Sequence, residues 1–252
     1  MEDKRRRFDA ARLKVLGEGG LSCGIGRLSE KSVHKILKLY IEPNEEYHER
    51  EICGLYADVF NPEGIFEIQT RAAWRLEKKL PRLLSVSKVT VVIPIIVENT
   101  IRWLDKKTGE ISDGRKSNKK ESIFTALAEI YRLRGYIYKE GFSVRLVLLK
   151  TEDFRYLDSK DKKGRRSGTR IDKIPTELVG EIDLLTREDY AALLPNELPT
   201  PFRERDLRKA AKYPERLSSF VIGALKHAGV IRQVGKDGRA YLYEKTKTHT
   251  DV

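Results

Sequence analysis

Apolar residues along the chain fall into short segments that alternate between helical and strand spacing. Val33, Ile36, Leu37 and Tyr40 recur at helical intervals and predict a helix from Glu30 to about Tyr40. Ile52 to Phe60 reads as a strand, Asn61-Pro62-Glu63-Gly64 as a turn, and Gly64 to Thr70 as the returning strand. Alternation within that returning strand places Glu67 and Gln69 on one face and Phe66 and Ile68 on the other. Arg71 to about Leu80 predicts a second helix, stopped by Pro81, and the apolar run Lys88 to Pro94 a further strand. Beyond it, Thr100 to Asp105 reads as a strand turning at Lys106 to Gly109. Ser122 to Tyr136 reads as a helix with Ile123, Leu127, Ile130 and Tyr131 inward, and Phe142 to Leu149 as another strand. Strands interleaved with helices predict an α/β fold.

Prolines at 195, 199 and 201 oppose both helix and strand and mark residues 195–201 as a linker. After them, Phe202 to Lys212 is helical in composition with Leu207 inward, and Pro214 opens a second helix. Leu217, Phe220, Val221, Ala224 and Leu225 form its apolar stripe, and Gly229 stops it. Val230 to Val234 and Arg239 to Tyr243 then flank a glycine-bounded turn, the pattern of a hairpin. Helix, turn, helix and hairpin in this order resemble a winged helix-turn-helix domain over residues 202–246. The resemblance implies that Arg216, Ser218, Ser219 and Lys226 face a DNA groove while Lys236 and Arg239 touch phosphates.

The 252 residues carry 50 Lys+Arg against 38 Asp+Glu, a surplus of +12. The length suffices for a sizeable core, and 40% hydrophobic residues argue against wholesale disorder. No apolar run approaches the roughly 20 residues of a membrane helix. The basic start (Lys4 to Arg7) is not followed by the apolar segment of a secretory signal. Two cysteines are too few for a disulfide framework, and Cys53 reads as core packing. The expectation is a cytoplasmic protein with an anionic partner, DNA foremost, no membrane, and a homodimer left open. The charge is localised: residues 201–246 hold eleven Lys/Arg and five acids, half of the surplus. Ser159 to Arg170 has six basic residues, one acid and two glycines, which predicts a mobile loop, either simply solvated or contacting phosphates. Residues 1–24, which run into the glycine-rich stretch Gly17 to Gly26, read as a basic, flexible segment.

The hairpin can bring Asp58, Glu67 and Gln69 together, and converging carboxylates need a cation, for which oxygen donors prefer Mg²⁺ or Mn²⁺. Asp58, eight intervening residues, then Glu67-Ile68-Gln69 resemble the D…(D/E)xK motif of the PD-(D/E)XK restriction-endonuclease-like nucleases. The helix before and the helix and strand after the hairpin follow that superfamily's order, over roughly residues 25–150. The resemblance implies a nuclease-like mixed sheet flanked by helices over 25–194, with the small winged-helix domain behind it. It implies a metal site of Asp58 and Glu67, with His34 and Glu30 on the preceding helix as further ligands. Gln69 stands where the family has lysine and would orient a water by hydrogen bonds. Arg71, Arg75, Lys78 or Lys79 on the next helix would supply the missing positive charge, with Arg75 and Lys79 also placed to meet DNA. The implied activity is metal-dependent DNA hydrolysis, and the substitution at Gln69 leaves open a non-catalytic DNA-binding role.

Overall fold

Val89–Leu104 and Phe142–Tyr156 pair in parallel over their whole lengths, from Val89 opposite Phe142 to Leu104 opposite Tyr156. Near-continuous apolar sequence is what a strand covered on both faces requires. Val91, Ile93, Ile95, Val144 and Leu146 enter one hydrophobic cluster. Val92, Ile96, Val147 and Leu149 enter a second on the opposite face. The chain is a mixed α/β structure built around this pair, with a large mixed sheet flanked by helices.

The computed structural model describes residues 1–17, 31–70, 72–118, 121–157, 159–160 and 166–246. In chain order the elements of the front part are α1 (Glu2–Gly17), α2 (Ser32–Ile41), β1 (His48–Ile52), β2 (Leu55–Asn61), β3 (Gly64–Ile68), α3 (Leu80–Leu84), β4 (Val89–Leu104) and β5 (Arg115–Lys116). There follow α4 (Ile123–Ile130), β6 (Phe142–Tyr156), β7 (Ser159–Lys160), β8 (Arg166–Ser167), β9 (Arg170–Leu184) and α5 (Arg187–Ala191). The tail comprises β10 (Phe202–Arg203), α6 (Glu204–Ala211), α7 (Ser218–His227), β11 (Ile231–Asp237) and β12 (Ala240–Lys245). The seven-stranded sheet runs β1-β2-β3-β4-β6-β9, with β5 pairing on β4. β1, β2 and β3 form an antiparallel meander, β3 joins β4 in parallel, and β9 closes the far side antiparallel to β6.

Several elements differ from their expected form. The segment expected to be flexible over residues 1–24 is a helix as far as Gly17. Phe8, Ala11 and Val15, one narrow stripe among charged neighbours, bury it against the sheet's second cluster. Arg7 donates to the carbonyls of Tyr40 and Ile41 at the end of α2, which have no partner within that helix. The single strand expected over Ile52 to Phe60 is broken by a tight turn at Cys53-Gly54, both at positive φ. Cys53 is therefore exposed at a hairpin tip rather than packed in the core, and its carbonyl accepts from Arg82. The helix expected from Arg71 to Leu80 is one 3₁₀ turn, Ala73–Leu76, and Pro81 opens α3 instead of stopping its predecessor. Residues 161–165 of the basic loop expected over 159–170 lie outside the described residues; on either side of them β7 and β8 pair, and Arg170 opens β9. No helix among the described residues is long and apolar enough to cross a membrane.

The tail has its own three-stranded sheet, ordered β10-β12-β11. Its apolar residues Phe202, Leu207, Val221 and Leu225 nevertheless belong to the same cluster as Val91 and Leu127 of the main sheet and its covering helix. Phe124 stacks on Tyr213 at 5.5 Å between ring centroids, and Phe220 meets Tyr131 edge-on at 5.8 Å. The contact is closest at Gly223, where an added Cβ would lie 2.4 Å from the Tyr131 ring. Replacing a helical glycine by alanine ordinarily gains up to about 1 kcal/mol of propensity, whereas overpacking a close contact costs about 1–3 kcal/mol. Gly223→Ala is therefore expected to destabilise the protein by about 1 kcal/mol, read as a lower denaturant midpoint. A midpoint that rises would show that propensity dominates and that the Tyr131 contact yields.

Candidate active site

Two carboxylates take over where the β2–β3 ladder ends. Regular pairing runs from Asn61–Gly64 to Val59–Phe66 and stops before Asp58 and Glu67. Side chains then satisfy the freed backbone groups: Asp58 Oδ2 accepts the N–H of Ile68 at 2.7 Å, and the Glu67 carboxylate accepts the N–H of Asp58. This substitution fixes both acids at the mouth of the hairpin, each oriented by the other's strand.

His34 reaches the pair from the side of α2. The helix turns Val33, Ile36, Leu37 and Tyr40 into the core, as their spacing predicts, and leaves His34 half-buried over the sheet edge. Its Nε2 lies 3.2 Å from Asp58 Oδ2. Glu30, the other expected ligand on this helix, lies outside the described residues, as does Arg71.

Glu67 is 1% exposed, an extreme position for an acid in the middle of a strand. Its neutraliser is Lys79, whose Nζ donates to Oε1 at 2.7 Å and Oε2 at 2.9 Å and also to the Tyr56 carbonyl. Of the described cationic residues expected to replace the family's lysine, Arg75, Lys78 and Lys79, it is Lys79 that the structure brings to the carboxylates. Arg75 is exposed, its guanidinium 5.7 Å from the Trp74 ring. Lys79, expected also to meet DNA, is tied into the site instead. Burial, reinforced by the nearby charge of Asp58, pushes the Glu67 carboxyl up to about 7, against the opposing pull of Lys79. Gln69 follows the last residue of β3 with its N–H on the Val92 carbonyl at 2.8 Å and its side chain half-exposed.

The donor set, two carboxylates and an imidazole, suits a hard divalent cation in kind. Among the described residues, however, no three His, Cys, Asp or Glu side chains group to hold a metal ion. The arrangement is two linked pairs, His34–Asp58 and Lys79–Glu67. A cation shared by the acids would have to draw one Glu67 oxygen away from Lys79.

In the tail, Arg216, Ser219, Lys226, Lys236 and Arg239 are exposed as expected. Ser218 is not: it is buried and its hydroxyl donates to Glu204, which fastens α7 to α6. The 3₁₀ turn Glu215–Leu217 precedes α7 and shifts the helical phase from that of a helix opening at Pro214. Gly223 and Phe220, between the exposed ends of α7, face Tyr131.

Residues 31–185 match the family described as "Domain of unknown function (DUF8091)". The chain belongs to that family. The matched span contains His34, Asp58, Glu67 and Lys79 and ends just after β9, before the tail. An uncharacterized protein of Treponema pallidum (strain Nichols) is similar at 30% identity over 222 residues, which cover 88% of this chain and 87% of that protein. The similarity to it is longer than the 31–185 span and so extends beyond it. No solved structure matches the chain.

The raised Glu67 carboxyl sets a stability trend. The folded chain keeps this proton to about pH 7, whereas an unfolded chain loses it near the ordinary 4.5. Between those values the folded state binds more protons, so its stability falls as pH rises. The change is on the order of 3 kcal/mol, from 1.36 kcal/mol per pH unit. In EDTA, Glu67→Gln should flatten the melting temperature between pH 5 and pH 8. Lys79→Met should instead cost more at pH 8, about 3 kcal/mol, than at pH 5, because it strands a buried charge. Parallel pH profiles for wild type and Glu67→Gln would contradict this account.

Proposed function

We propose that this chain is a divalent-metal-dependent DNA nuclease of the PD-(D/E)XK restriction-endonuclease-like type, with a winged-helix tail that contacts DNA. The observation that carries the reading is Glu67, buried in a central strand and gripped through both oxygens by Lys79, beside Asp58 where the β2–β3 ladder opens. The order α2, hairpin, α3, β4 and the parallel β3–β4 pairing support it. Lys79, twelve residues beyond Glu67, would stand in for the lysine that Gln69 replaces.

In this reading Asp58 and Glu67 hold Mg²⁺ or Mn²⁺, with Glu30 as a further ligand and with His34 either ligating or orienting Asp58. The metal, when bound, lowers the pKa of a water and offsets charge on the phosphodiester. The chain's own groups do the rest. Gln69 orients the water by hydrogen bonds. Lys79, released in part from Glu67, places a positive charge beside the reacting phosphate, a role shared with Arg71 at the start of the same segment. Arg75, exposed at the rim, meets the DNA backbone.

For the tail, the β10-β12-β11 sheet with α6 and α7 supports the winged-helix likeness. Since α7 is packed on Tyr131 through its middle, Ser219 and Lys226 near its ends and Arg216 in the turn before it contact DNA. The hairpin residues Lys236 and Arg239 carry most of the phosphate binding.

A second reading is favoured by one specific feature. Lys79 already neutralises Glu67, and no third ligand joins among the described residues, as in a degenerate nuclease-like scaffold that binds DNA without cutting it. Plasmid and single-stranded DNA incubated with Mg²⁺ or Mn²⁺ separate the two. The first reading expects cleavage by wild type, reduced at least a hundredfold in Lys79→Ala and abolished in Asp58→Ala/Glu67→Ala. Cutting no better than the double mutant on every substrate removes the enzyme reading and leaves the scaffold.

Lys236→Gln/Arg239→Gln is expected to weaken duplex binding and to lower the salt slope of log K by about 2, since each lost phosphate contact removes about 0.9. An unchanged slope would take the hairpin out of the DNA interface.

A further inference from the structure

A second cluster of charge lies outside the carboxylate pair, at the far end of β6. Asp153 is 0% exposed, and it binds two guanidinium groups at once. Arg170 donates to it through Nε at 2.8 Å and Nη2 at 3.0 Å, and Arg155 through Nη2 at 2.5 Å and Nε at 3.2 Å. Arg155 and Arg170 are direct cross-strand partners on β6 and β9. Like charges in that position repel, and one carboxylate offsets only one of them. The paired arginines hold Asp153 well below the ordinary carboxylate range even though burial opposes them, so the group carries a standing positive charge.

These arginines line a cavity of about 630 Å³ between the main sheet and the tail, with Lys173 of β9 and Arg216 just before α7. The acids in its lining are Asp153, already engaged, and Glu121, whose carboxylate accepts the N–H of Ile96. A neighbouring cavity of about 280 Å³ shares Ile96, Glu121, Arg170 and Lys173 with it and extends to Thr70, the residue after Gln69. The second cavity adds one acid, Asp172, which is engaged by the Ser32 hydroxyl, and the two together make a trough from the end of β3 to the start of α7.

We propose that this trough is a phosphate-binding site, in which Arg155 and Arg170 present their remaining N–H groups to a phosphate and Arg216 closes on it from the tail. Asp153 is a positioning residue: it fixes two planar forks side by side, the geometry that phosphate oxygens accept. The trough has room for a phosphorylated nucleoside unit, either as part of a nucleic-acid strand or as a free nucleotide. The inference does not depend on whether the carboxylate pair cuts DNA.

The full chain is titrated in EDTA, which silences any metal-dependent cleavage, with inorganic tripolyphosphate and with a labelled single-stranded oligonucleotide. Wild type is expected to bind tripolyphosphate, and tripolyphosphate to compete with the oligonucleotide. Arg155→Gln/Arg170→Gln should lose tripolyphosphate binding at least tenfold, as expected for a charge-assisted contact. Arg216→Gln, exposed and without a bond to Asp153, should lose about tenfold while keeping the wild-type melting temperature, and so decides the matter if the double variant does not fold. Arg102→Gln, on the opposite face and paired with Glu152, should bind as wild type. A preference for the oligonucleotide over tripolyphosphate identifies a strand as the occupant, and the reverse identifies a free phosphate compound. No tripolyphosphate binding by wild type, or binding equal in wild type, Arg216→Gln and Arg102→Gln, overturns the proposal.

Discussion

The parallel pairing of β4 and β6 is the constraint from which the remaining architecture follows. Two strands of this length, apolar on both faces, are stable only if both faces are covered. α1 and α2 cover one face; α4, the 3₁₀ segment Tyr131–Tyr136 that follows it and the tail cover the other. β3 joins this pair edgewise in parallel and is itself buried along its whole length. An acid in β3 therefore enters a nearly dry environment whatever its role, and Glu67 needs a counter-ion from the connection that follows. Lys79 provides it, and the broken helical course between Ala73 and Leu84 allows the lysine to turn back over the sheet. The site is a consequence of how the sheet is buried, before any chemistry is assigned to it.

Much of this order was legible because the informative residues are periodic. The helix over α2, the returning strand β3, the apolar start of β4 and the helix–helix–hairpin succession of the tail all lie close to where spacing places them. Glu67 and Gln69 were separable from Phe66 and Ile68 by alternation alone, and the two hydrophobic clusters divide along that line. What escaped were features without periodicity of their own. α1 buries only Phe8, Ala11 and Val15 fully, too thin a stripe to stand out among lysines and arginines. β9 carries Pro175 and alternates charged with apolar residues, as a strand at the sheet's edge can, so spacing alone does not mark it as a strand. The turn at Cys53-Gly54 has no turn former on either side, so spacing alone runs its two short strands together.

The candidate site was legible in its members and not in its pairing. His34, Asp58 and Glu67 can be named from the sequence, yet spacing cannot say which of the cations that follow, Arg75, Lys78 or Lys79, turns inward; that depends on where the chain breaks its helix. Asp153 shows the same limit more sharply. Nothing in its neighbourhood distinguishes it from a solvated acid. Its burial and its two arginines follow from the register that sets Arg155 opposite Arg170, fifteen residues apart in sequence and joined by a basic segment. Pairing registers are long-range facts, and a single sequence carries them weakly.

The seating of Gly223 on Tyr131 bears on how such a chain can change over time. A tail strung on a linker can be exchanged for another with little regard for what precedes it. Here the helix that would read a partner shares a surface with the covering layer of the main sheet, so a transplanted tail would have to bring a complement to Tyr131 and Phe124 with it. A substitution on one side of that seam would then call for a matching change on the other.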